Sequence, residues 1–466
     1  KNTKEEKCMK IKQTKGITLI ALIITIIILL ILAGVTITML TGDNGILKQA
    51  TSARETNSKG GFEEQVKLAV TASRANDTAG IDLKILGEEI NKITGATITK
   101  SADDNLPWTV KKESYEVTIT ADGTITTNTT GKDDGKKDEP VVESEVVKQA
   151  KAAMPEGASI DPATNENTGI VMIDSNDNEW VWVEVPATVF TSATSSTDYD
   201  NIKADLITYA KDYRGAYKDE WYDGCGLAQG EYTTKYQTML SSIYTNKGFY
   251  IGRYEAGIEG SDEDTSLARY SRTRITSSSP KAVSKKDMIP YNYVYCSDAQ
   301  TLANGMSTGN KTSSLMFGIQ WDLVCKFLEV KGNWDTSTNT AQYYLKENSA
   351  SWGNCYDSTF TINSAKAKKY NSSNKSFDEI TGNKSSSNGI LLTTGASEQN
   401  KKMNIYDFAG NEFEWTLEKT SANSYPCNYR GGTYIYNGDL YQVSYRYYSN
   451  DTTYSSDNVG LRPSLY

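Results

Sequence analysis

The chain has 466 residues and a net charge of −9, and it contains no histidine. This length predicts two or three compact domains, each with a core of its own. The acidic balance argues against a nucleic-acid partner, since binding phosphates requires a basic face. Without histidine, the commonest zinc, copper and iron ligand and every Ser/His or Cys/His nucleophile are excluded.

The first element in the chain is an uncharged, apolar run from Ile17 to Leu40. As a helix, these roughly 24 residues would extend over about 36 Å, which is enough to cross a bilayer core. Six lysines and only two glutamates precede the run, so we expect the short N-terminus to stay in the cytoplasm and the rest to be exported. A buried core helix is the alternative.

The junction Lys15-Gly16-Ile17-Thr18-Leu19-Ile20 resembles the prepilin cleavage and methylation motif of type IV pilins and pseudopilins. The resemblance implies that residues 1–16 are a leader, which a prepilin peptidase removes by cutting between Gly16 and Ile17. It also implies that residues 17–40 anchor the chain in the membrane and later pack against other pilin subunits. The family usually has a glutamate at the fifth mature position, and this chain has Ala21 there.

Residues 17–126 follow the layout of a pilin, a long helix and then a small antiparallel sheet. Apolar residues recur at helical spacing in two stripes, one from Phe62 to Val70 and one from Leu83 to Ile93. The stretch 115–126 then alternates apolar and polar residues about Asp122-Gly123, which predicts a hairpin. Residues 127–142 are polar and charged, which is typical of a solvated linker.

Residues 143–466 predict a second domain of irregular α+β organisation, rich in Gly, Asn, Ser and aromatic residues. Short strands are expected within 169–186 and 248–257. The best helix is expected over 315–330, with Trp321, Val324 and Cys325 on one face. The fold class is therefore α+β in both domains.

Four segments of this domain carry a further resemblance: "FYIGRYEAG" at 249–257, "SWGN" at 351–354, "NIYDFAGNEFEW" at 404–415, and "YRGGTY" with "VGLRP" between 429 and 463. Their order is similar to that in the formylglycine-generating, or sulfatase-modifying, family. That family has a C-type-lectin-like fold. Its oxidases need two cysteines shortly after the RGG strand, and its iron enzymes need histidines. This chain has neither from Thr433 onward, so the resemblance implies the fold without the activity.

In the same family, the loop that contains "GNEFEW" holds a calcium ion. Carried over, the ligands would be Asp407, Gly410, Glu412 and Glu414, and hard oxygen ligands of this kind suit a structural calcium. The alternative is that Glu414 only hydrogen-bonds its loop or pairs with an arginine such as Arg462.

The six cysteines show no CxxC spacing. One or two disulfides in an exported domain and buried free thiols are both compatible with this pattern.

The most unusual stretch is 434–458, with seven tyrosines, four serines, three asparagines and three aspartates. Tyrosine combines apolar area with a polar tip, and short polar residues supply adaptable hydrogen bonds, as in an antibody paratope. Alternation about Asn437-Gly438 predicts two strands and a tight turn. We expect a ligand-binding surface made of Tyr434, Tyr436, Asn437, Asp439, Tyr441, Ser444, Tyr445, Tyr447, Tyr448, Asn450, Asp451, Tyr454 and Asp457. A tyrosine-rich sheet face without a special role is the alternative.

The segment also resembles the C-terminal repeat of variable proteins of diversity-generating retroelements, in which asparagine codons are rewritten. This resemblance implies a variable region at 434–458, followed by the fixed end "VGLRPSLY". Together, the sequence predicts a non-enzymatic, pilin-like adhesin at the cell surface that binds an extracellular protein or glycan. A filament subunit without a specific ligand and an enzyme of unusual chemistry are the alternatives.

Overall fold

The computed structural model describes residues 62, 65–70, 72–73, 81–100, 104–112, 115–120, 125–129, 143–420 and 425–466, except for the side chains of 127–129, 270–272 and 448–450. The chain divides into two compact units between Pro140 and Val141. Both units mix helices with small, largely antiparallel sheets.

In its described residues, the N-terminal unit contains the helix α1 (Leu83–Asn91) and a four-stranded antiparallel sheet in the order β1-β2-β3-β4. Asp82 caps α1 by accepting hydrogen bonds from the backbone of Lys84 and Ile85, which satisfies two free N–H groups of the first turn. The strands are β1 (Ala96–Thr99), β2 (Trp108–Lys112), β3 (Tyr115–Ile119) and β4 (Ile125–Thr129).

The apolar stripes of this unit form its core. Phe62, Val66, Leu86 and Ile90 are buried together with alternate residues of β2 and β3. The predicted helix at 83–93 and the hairpin of β3 and β4 are confirmed. However, β4 continues through Thr129, so the strand enters the stretch 127–142 that the sequence assigned to the linker.

The expected leader, the cleavage site at Gly16 and Ile17, and the membrane span 17–40 lie outside the described residues. In the part of the chain that the structure describes, every helix is too short or too polar to cross a membrane.

The described part of the C-terminal unit contains seven α-helices. They are α2 (Glu145–Ala152), α3 (Tyr199–Tyr209), α4 (Lys211–Arg214), α5 (Gln229–Asn246), α6 (Cys296–Asn304), α7 (Gly318–Lys331) and α8 (Ala341–Lys346). The predicted helix at 315–330 is confirmed as α7. Trp321, Val324, Cys325 and Leu328 are fully buried there, so α7 is a core helix of the unit.

The strands of this unit are short. They are β5 (Ser159–Ile160), β6 (Val171–Ile173), β7 (Glu179–Glu184), β8 (Gly248–Gly252), β9 (Gly257–Ile258), β10 (Ala282–Val283), β11 (Ser313–Leu315), β12 (Phe360–Ile362), β13 (Lys368–Asn371), β14 (Ser376–Glu379), β15 (Gly382–Lys384), β16 (Lys401–Lys402), β17 (Ile405–Tyr406), β18 (Phe413–Thr416), β19 (Cys427–Arg430), β20 (Tyr447–Asn450), β21 (Val459–Gly460) and β22 (Pro463–Leu465).

Two sheets organise the unit. The six-stranded sheet has the order β11-β22-β8-β7-β6-β5, and the buried run from Trp180 to Val183 places β7 in its interior. The four-stranded sheet has the order β20-β19-β18-β21, with β21 parallel to β18. Residues 434–458, which we call the tyrosine-rich segment, follow β19 of this second sheet and include its strand β20. The second sheet therefore positions the candidate site.

Candidate ligand-binding surface

The segment between β19 and β20 is irregular, so the predicted hairpin about Asn437-Gly438 is wrong. Residues 431–446 form consecutive turns, and β20 is the part of the segment that pairs with β19. The reason is a close approach of backbones, since a side-chain carbon on Gly438 would lie 2.3 Å from the backbone nitrogen of Ala350. The turn therefore packs against another segment and does not project as a free hairpin loop.

Hydrogen bonds to other parts of the unit hold this irregular backbone in place. The N–H of Tyr434 donates to the carbonyl of Asn411 at 3.0 Å, and the N–H of Ser349 donates to that of Gly438 at 3.0 Å. The indole N–H of Trp321 donates to the carbonyl of Val443 at 3.0 Å. A loop whose backbone groups are satisfied by its scaffold can keep one conformation without regular secondary structure.

A buried network of three arginines and three acids, the arginine network, lies beneath the segment. Each member is less than a tenth exposed. The six members are Arg214, Asp219, Asp322, Glu418, Arg430 and Arg446. Asp322 of α7 is its centre and accepts from Arg430 at 2.6 Å, Arg446 at 2.7 Å and Arg214 at 3.1 Å. Opposite charges are therefore balanced, as buried charges require.

Two of these arginines fasten the segment directly. Arg446 lies within it and also bonds Glu418 at 2.7 Å and the carbonyl of Tyr213 at 2.6 Å. Arg430, at the end of β19, donates to the carbonyl of Ser444 at 3.0 Å. Charge-assisted hydrogen bonds of Arg430 and Arg446 thus hold the segment against the rest of the unit.

Five tyrosines of the segment belong to one group of rings, in which four contact one another and Tyr454 is joined to them through Tyr429. We call it the tyrosine surface, and its members are Tyr436, Tyr441, Tyr445, Tyr447 and Tyr454. Tyr441 is central, with ring centroids 4.8 Å from Tyr436, 5.1 Å from Tyr445 and 5.5 Å from Tyr447. Tyr436 is 38% exposed and Tyr445 36%, so the group offers aromatic area to solvent.

Buried aromatic residues of the four-stranded sheet support these rings. Tyr429 of β19 stacks on Tyr447 at 5.0 Å and on Tyr454 at 6.0 Å. Phe413 of β18 lies 4.6 Å from Tyr429 and 5.6 Å from Tyr441. Edge-to-face and offset pairs of this kind restrict ring motion and add to the stability of the cluster.

Burial raises the pKa of the Tyr441 and Tyr447 hydroxyls, and neighbouring tyrosines raise it further. Their phenols therefore stay neutral well above physiological pH.

The other expected site residues divide into distinct environments. Tyr434 is only 8% exposed and packs into the core, so it is not part of the accessible surface. Asn437, Asp439 and Asp451 are exposed, whereas Ser444 and Asp457 are half-buried. The side chains of Tyr448 and Asn450 lie outside the described part.

The sequence analysis did not include three exposed apolar residues that lie within or beside this segment. Ile435 and Leu440, which are 38% and 53% exposed, lie within the segment itself. Tyr356 is 39% exposed, and its N–H donates to the carbonyl of Tyr436 at 2.8 Å. The apolar residues of the segment could have been found by composition, but the position of Tyr356 depends on tertiary contacts.

The residues expected to hold calcium belong to a buried, acid-rich cluster made of Glu255, Asp407, Glu412, Glu414 and Arg462. The side chain of Arg462 binds Glu414 through two nitrogens, at 2.9 Å and 2.8 Å. The N–H of Gly410 donates to the carbonyl of Gly431 at 2.7 Å and so joins this loop to the RGG strand.

Arg462 thus supplies positive charge where the resemblance expected the cation. Among the described residues, no three or more acidic or cysteine side chains are arranged to hold a metal ion. Calcium at Asp407, Gly410, Glu412 and Glu414 stays a prediction. Burial raises the pKa of Asp407 to about 6 and that of Glu414 to about 7, although Arg462 opposes both shifts.

The five described cysteines are buried free thiols. Burial raises the pKa of Cys325 and of Cys355 to about 12, which disfavours the reactive thiolate.

No protein-family model matches the chain, and no curated protein matches it. Two solved structures are similar to 47% of it. The structure of CarF matches the chain over 86% of CarF's own length, with 16% sequence identity and a TM-score of 0.29. Treponema denticola variable protein 1 does so over 84% of its length, with 13% identity and a TM-score of 0.25. Both TM-scores are too low to support an inference about this chain.

Proposed function

We propose that residues 143–466 form a C-type-lectin-like domain that binds an extracellular macromolecule through the tyrosine surface. One observation carries the proposal: four tyrosines of the segment contact one another, two of them (Tyr436 and Tyr445) are exposed, and buried charges hold the segment in place. A rigid backbone with amphipathic aromatic side chains loses little conformational entropy when it binds a partner.

The domain acts in this proposal as a binding module and not as an enzyme. The chain lacks histidine, and the raised pKa values of Cys325 and Cys355 oppose thiol chemistry.

We further propose that the domain is displayed at the cell surface by its N-terminal segment. Residues 17–40 would anchor the chain in the membrane, and prepilin peptidase would cut after Gly16 before association with other pilin subunits. The uncharged run and the lysine-rich leader support this proposal. Mass spectrometry of the cell-associated protein is expected to show Ile17 as the first residue. A chain that retains its leader would contradict the proposal.

Diversification of 434–458 by a retroelement is a separate part of the proposal. Its structural support is that Tyr436, Asp439 and Tyr445 are exposed, and that the hydrogen bonds of Tyr434 and Gly438 to other segments use main-chain atoms. Arg446 is the exception, because it holds the segment through its side chain and should therefore stay constant. Sequencing the gene across isolates is expected to find substitutions concentrated in this range. Substitutions spread evenly over 143–466 would contradict it.

The binding test uses cells that display the full chain and measures their adhesion to target cells and to protein and glycan arrays. Replacing Tyr436 and Tyr445 together with alanine is expected to weaken binding about tenfold or more, because exposed aromatic anchors dominate interface energies. Tyr425→Ala is the matched control, since Tyr425 is 49% exposed and outside the tyrosine surface.

Circular dichroism and surface staining would establish that all variants fold and reach the surface. Full adhesion by the Tyr436/Tyr445 double variant would overturn the binding assignment and favour a purely structural filament subunit.

A further inference from the structure

We propose that the ligand of the tyrosine surface is a polypeptide that presents basic side chains beside apolar ones. This inference rests on the proposed function and specifies the chemistry of the partner. It follows from the charges and the apolar residues that surround the five rings.

The charged groups that the segment offers to solvent are all acidic. Asp439 and Asp451 are exposed and Asp457 is half-buried. Arg446, the one basic residue of 434–458, is 7% exposed and bound to Asp322 and Glu418. Across the described residues, no lysine or arginine nitrogen lies within 4.0 Å of a carboxylate oxygen of Asp439 or Asp451. The carboxylates of Asp439 and Asp451 are therefore open to a partner's cation, although that of Asp451 also accepts hydrogen bonds from Thr453.

The rings of the tyrosine surface are suited to the same partner. Electron-rich faces of neutral tyrosines attract ammonium and guanidinium groups, and the raised pKa of Tyr441 and Tyr447 keeps those phenols uncharged. The exposed rings of Tyr436 and Tyr445 both contact Tyr441, with centroids 4.8 Å and 5.1 Å from its ring. An arginine or lysine side chain can stack against such rings while an aspartate neutralises its charge.

The apolar neighbours favour a polypeptide over a sugar. Ile435, Leu440 and Tyr356 expose aliphatic and aromatic area next to the rings. Aliphatic residues such as Ile435 and Leu440 pack better against apolar side chains than against a glycan, whose only apolar surface is the C–H face of its rings. Alternating basic and apolar residues would engage both the acids and the apolar area.

The test measures binding of the full chain, reconstituted in detergent micelles, to three capped octapeptides of alternating sequence: Leu-Arg, Leu-Gln and Leu-Glu. Isothermal titration at low ionic strength is expected to rank them in that order, with the Leu-Arg peptide at least about tenfold tighter than Leu-Glu. Choline and a neutral oligosaccharide serve as probes for the two other sources of affinity. Raising the salt concentration is expected to weaken the Leu-Arg complex.

Replacing Asp439 and Asp451 with asparagine is expected to weaken binding of the Leu-Arg peptide about three- to tenfold, because each exposed charge contributes up to about 1 kcal/mol. Asp177→Asn is the matched control. Asp177 is exposed in a turn far along the chain, and its positive φ of 59° is one that asparagine tolerates. This control is expected to bind like the unmodified chain.

Equal binding of the three peptides, or tighter binding of choline or the oligosaccharide, would overturn the basic-polypeptide proposal. Unchanged Leu-Arg affinity in the Asp439/Asp451 double variant would do the same. If the Tyr436/Tyr445 double variant still loses adhesion to cells in that case, the proposed function stands and only the ligand class is wrong.

Discussion

Two buried charge clusters lie in the C-terminal unit, and they differ in their balance of charge. The arginine network pairs three arginines with three acids. The acid-rich cluster has one arginine, Arg462, for four carboxyl groups. A balanced network can stay ionised at every physiological pH, whereas excess buried carboxylates must take up protons or another cation.

The pKa values reflect this difference. Burial lowers the pKa of Arg446, but Asp322 and Glu418 outweigh that effect and raise it above its ordinary value. In the acid-rich cluster, burial raises the pKa of Glu255 strongly, and Asp407 and Glu412 add to the shift. Burial also lowers the pKa of Arg430 and raises that of Asp219, but each of these groups has an oppositely charged partner. The groups expected to titrate near neutral pH are therefore Asp407 and Glu414 of the acid-rich cluster.

The largest expected effect is that of breaking the arginine network with Arg446→Met. This change leaves Asp322 and Glu418 buried with one cation fewer, so the free energy of unfolding should fall by about 3–5 kcal/mol. Chemical denaturation of the full chain measures it. Arg269→Met, at an exposed position, is the control and should change the free energy by less than about 0.5 kcal/mol.

A loss below about 1 kcal/mol in Arg446→Met would show that the network does not hold the segment. Because the segment is fastened through Arg446, the same variant is also expected to lose ligand binding.

The acid-rich cluster should give the next largest effect, as a dependence of stability on pH. The folded pKa of Asp407, about 6, exceeds the ordinary value, so its stabilising contribution is complete below about pH 4 and is lost as the pH rises through 6. Glu414 extends the window to about pH 7. The unfolding free energy should decline by on the order of 3 kcal/mol per group across this range.

Asp407→Asn is expected to remove its part of that decline, since asparagine stays neutral and tolerates the positive φ of 54° at this position. Thermal unfolding at pH 4 and pH 7, with and without added calcium, measures it. A variant that is less stable than the parent at pH 7 only when calcium is present would instead favour a metal at this cluster.

Substitutions on the tyrosine surface should have the smallest effect on stability. Tyr436→Ala removes a ring that is 38% exposed and belongs to neither charge cluster, so we expect a loss below about 1 kcal/mol. Tyr441→Ala removes the central ring and should have a larger effect, about 1–2 kcal/mol. Denaturation of both variants, with Tyr425→Ala as the control, tests this order. Equal losses for Tyr436 and Tyr441 would contradict the central position of Tyr441.

Helices could be predicted from the sequence because the apolar periodicity that indicates a helix lies within the helix itself. The periodic apolar stripe at 83–93 predicted α1, and the apolar run near Trp321 predicted α7. The composition of 434–458 likewise indicated a connected group of tyrosines, five of which the structure brings together.

The conformation of that segment was not accessible, because it depends on distant partners. The wrong hairpin followed from local alternation, while the actual path depends on the packing of Gly438 against Ala350 and on the bonds of Arg446 to Asp322. The burial of Tyr434 and the exposed position of Tyr356 are tertiary effects of the same kind. The pairing of Glu414 with Arg462 was one of two alternatives that the sequence left open.

The strand β22 follows the tyrosine-rich segment and lies inside the six-stranded sheet, between β11 and β8. During synthesis, this sheet cannot close until the ribosome has translated residues 463–465. A nonsense or frameshift change anywhere in 434–458 would leave two unpaired strand edges in the middle of the sheet and expose them to aggregation or proteolysis. Chains in which this segment is truncated or frameshifted would therefore lack β22 and fail to complete the six-stranded sheet.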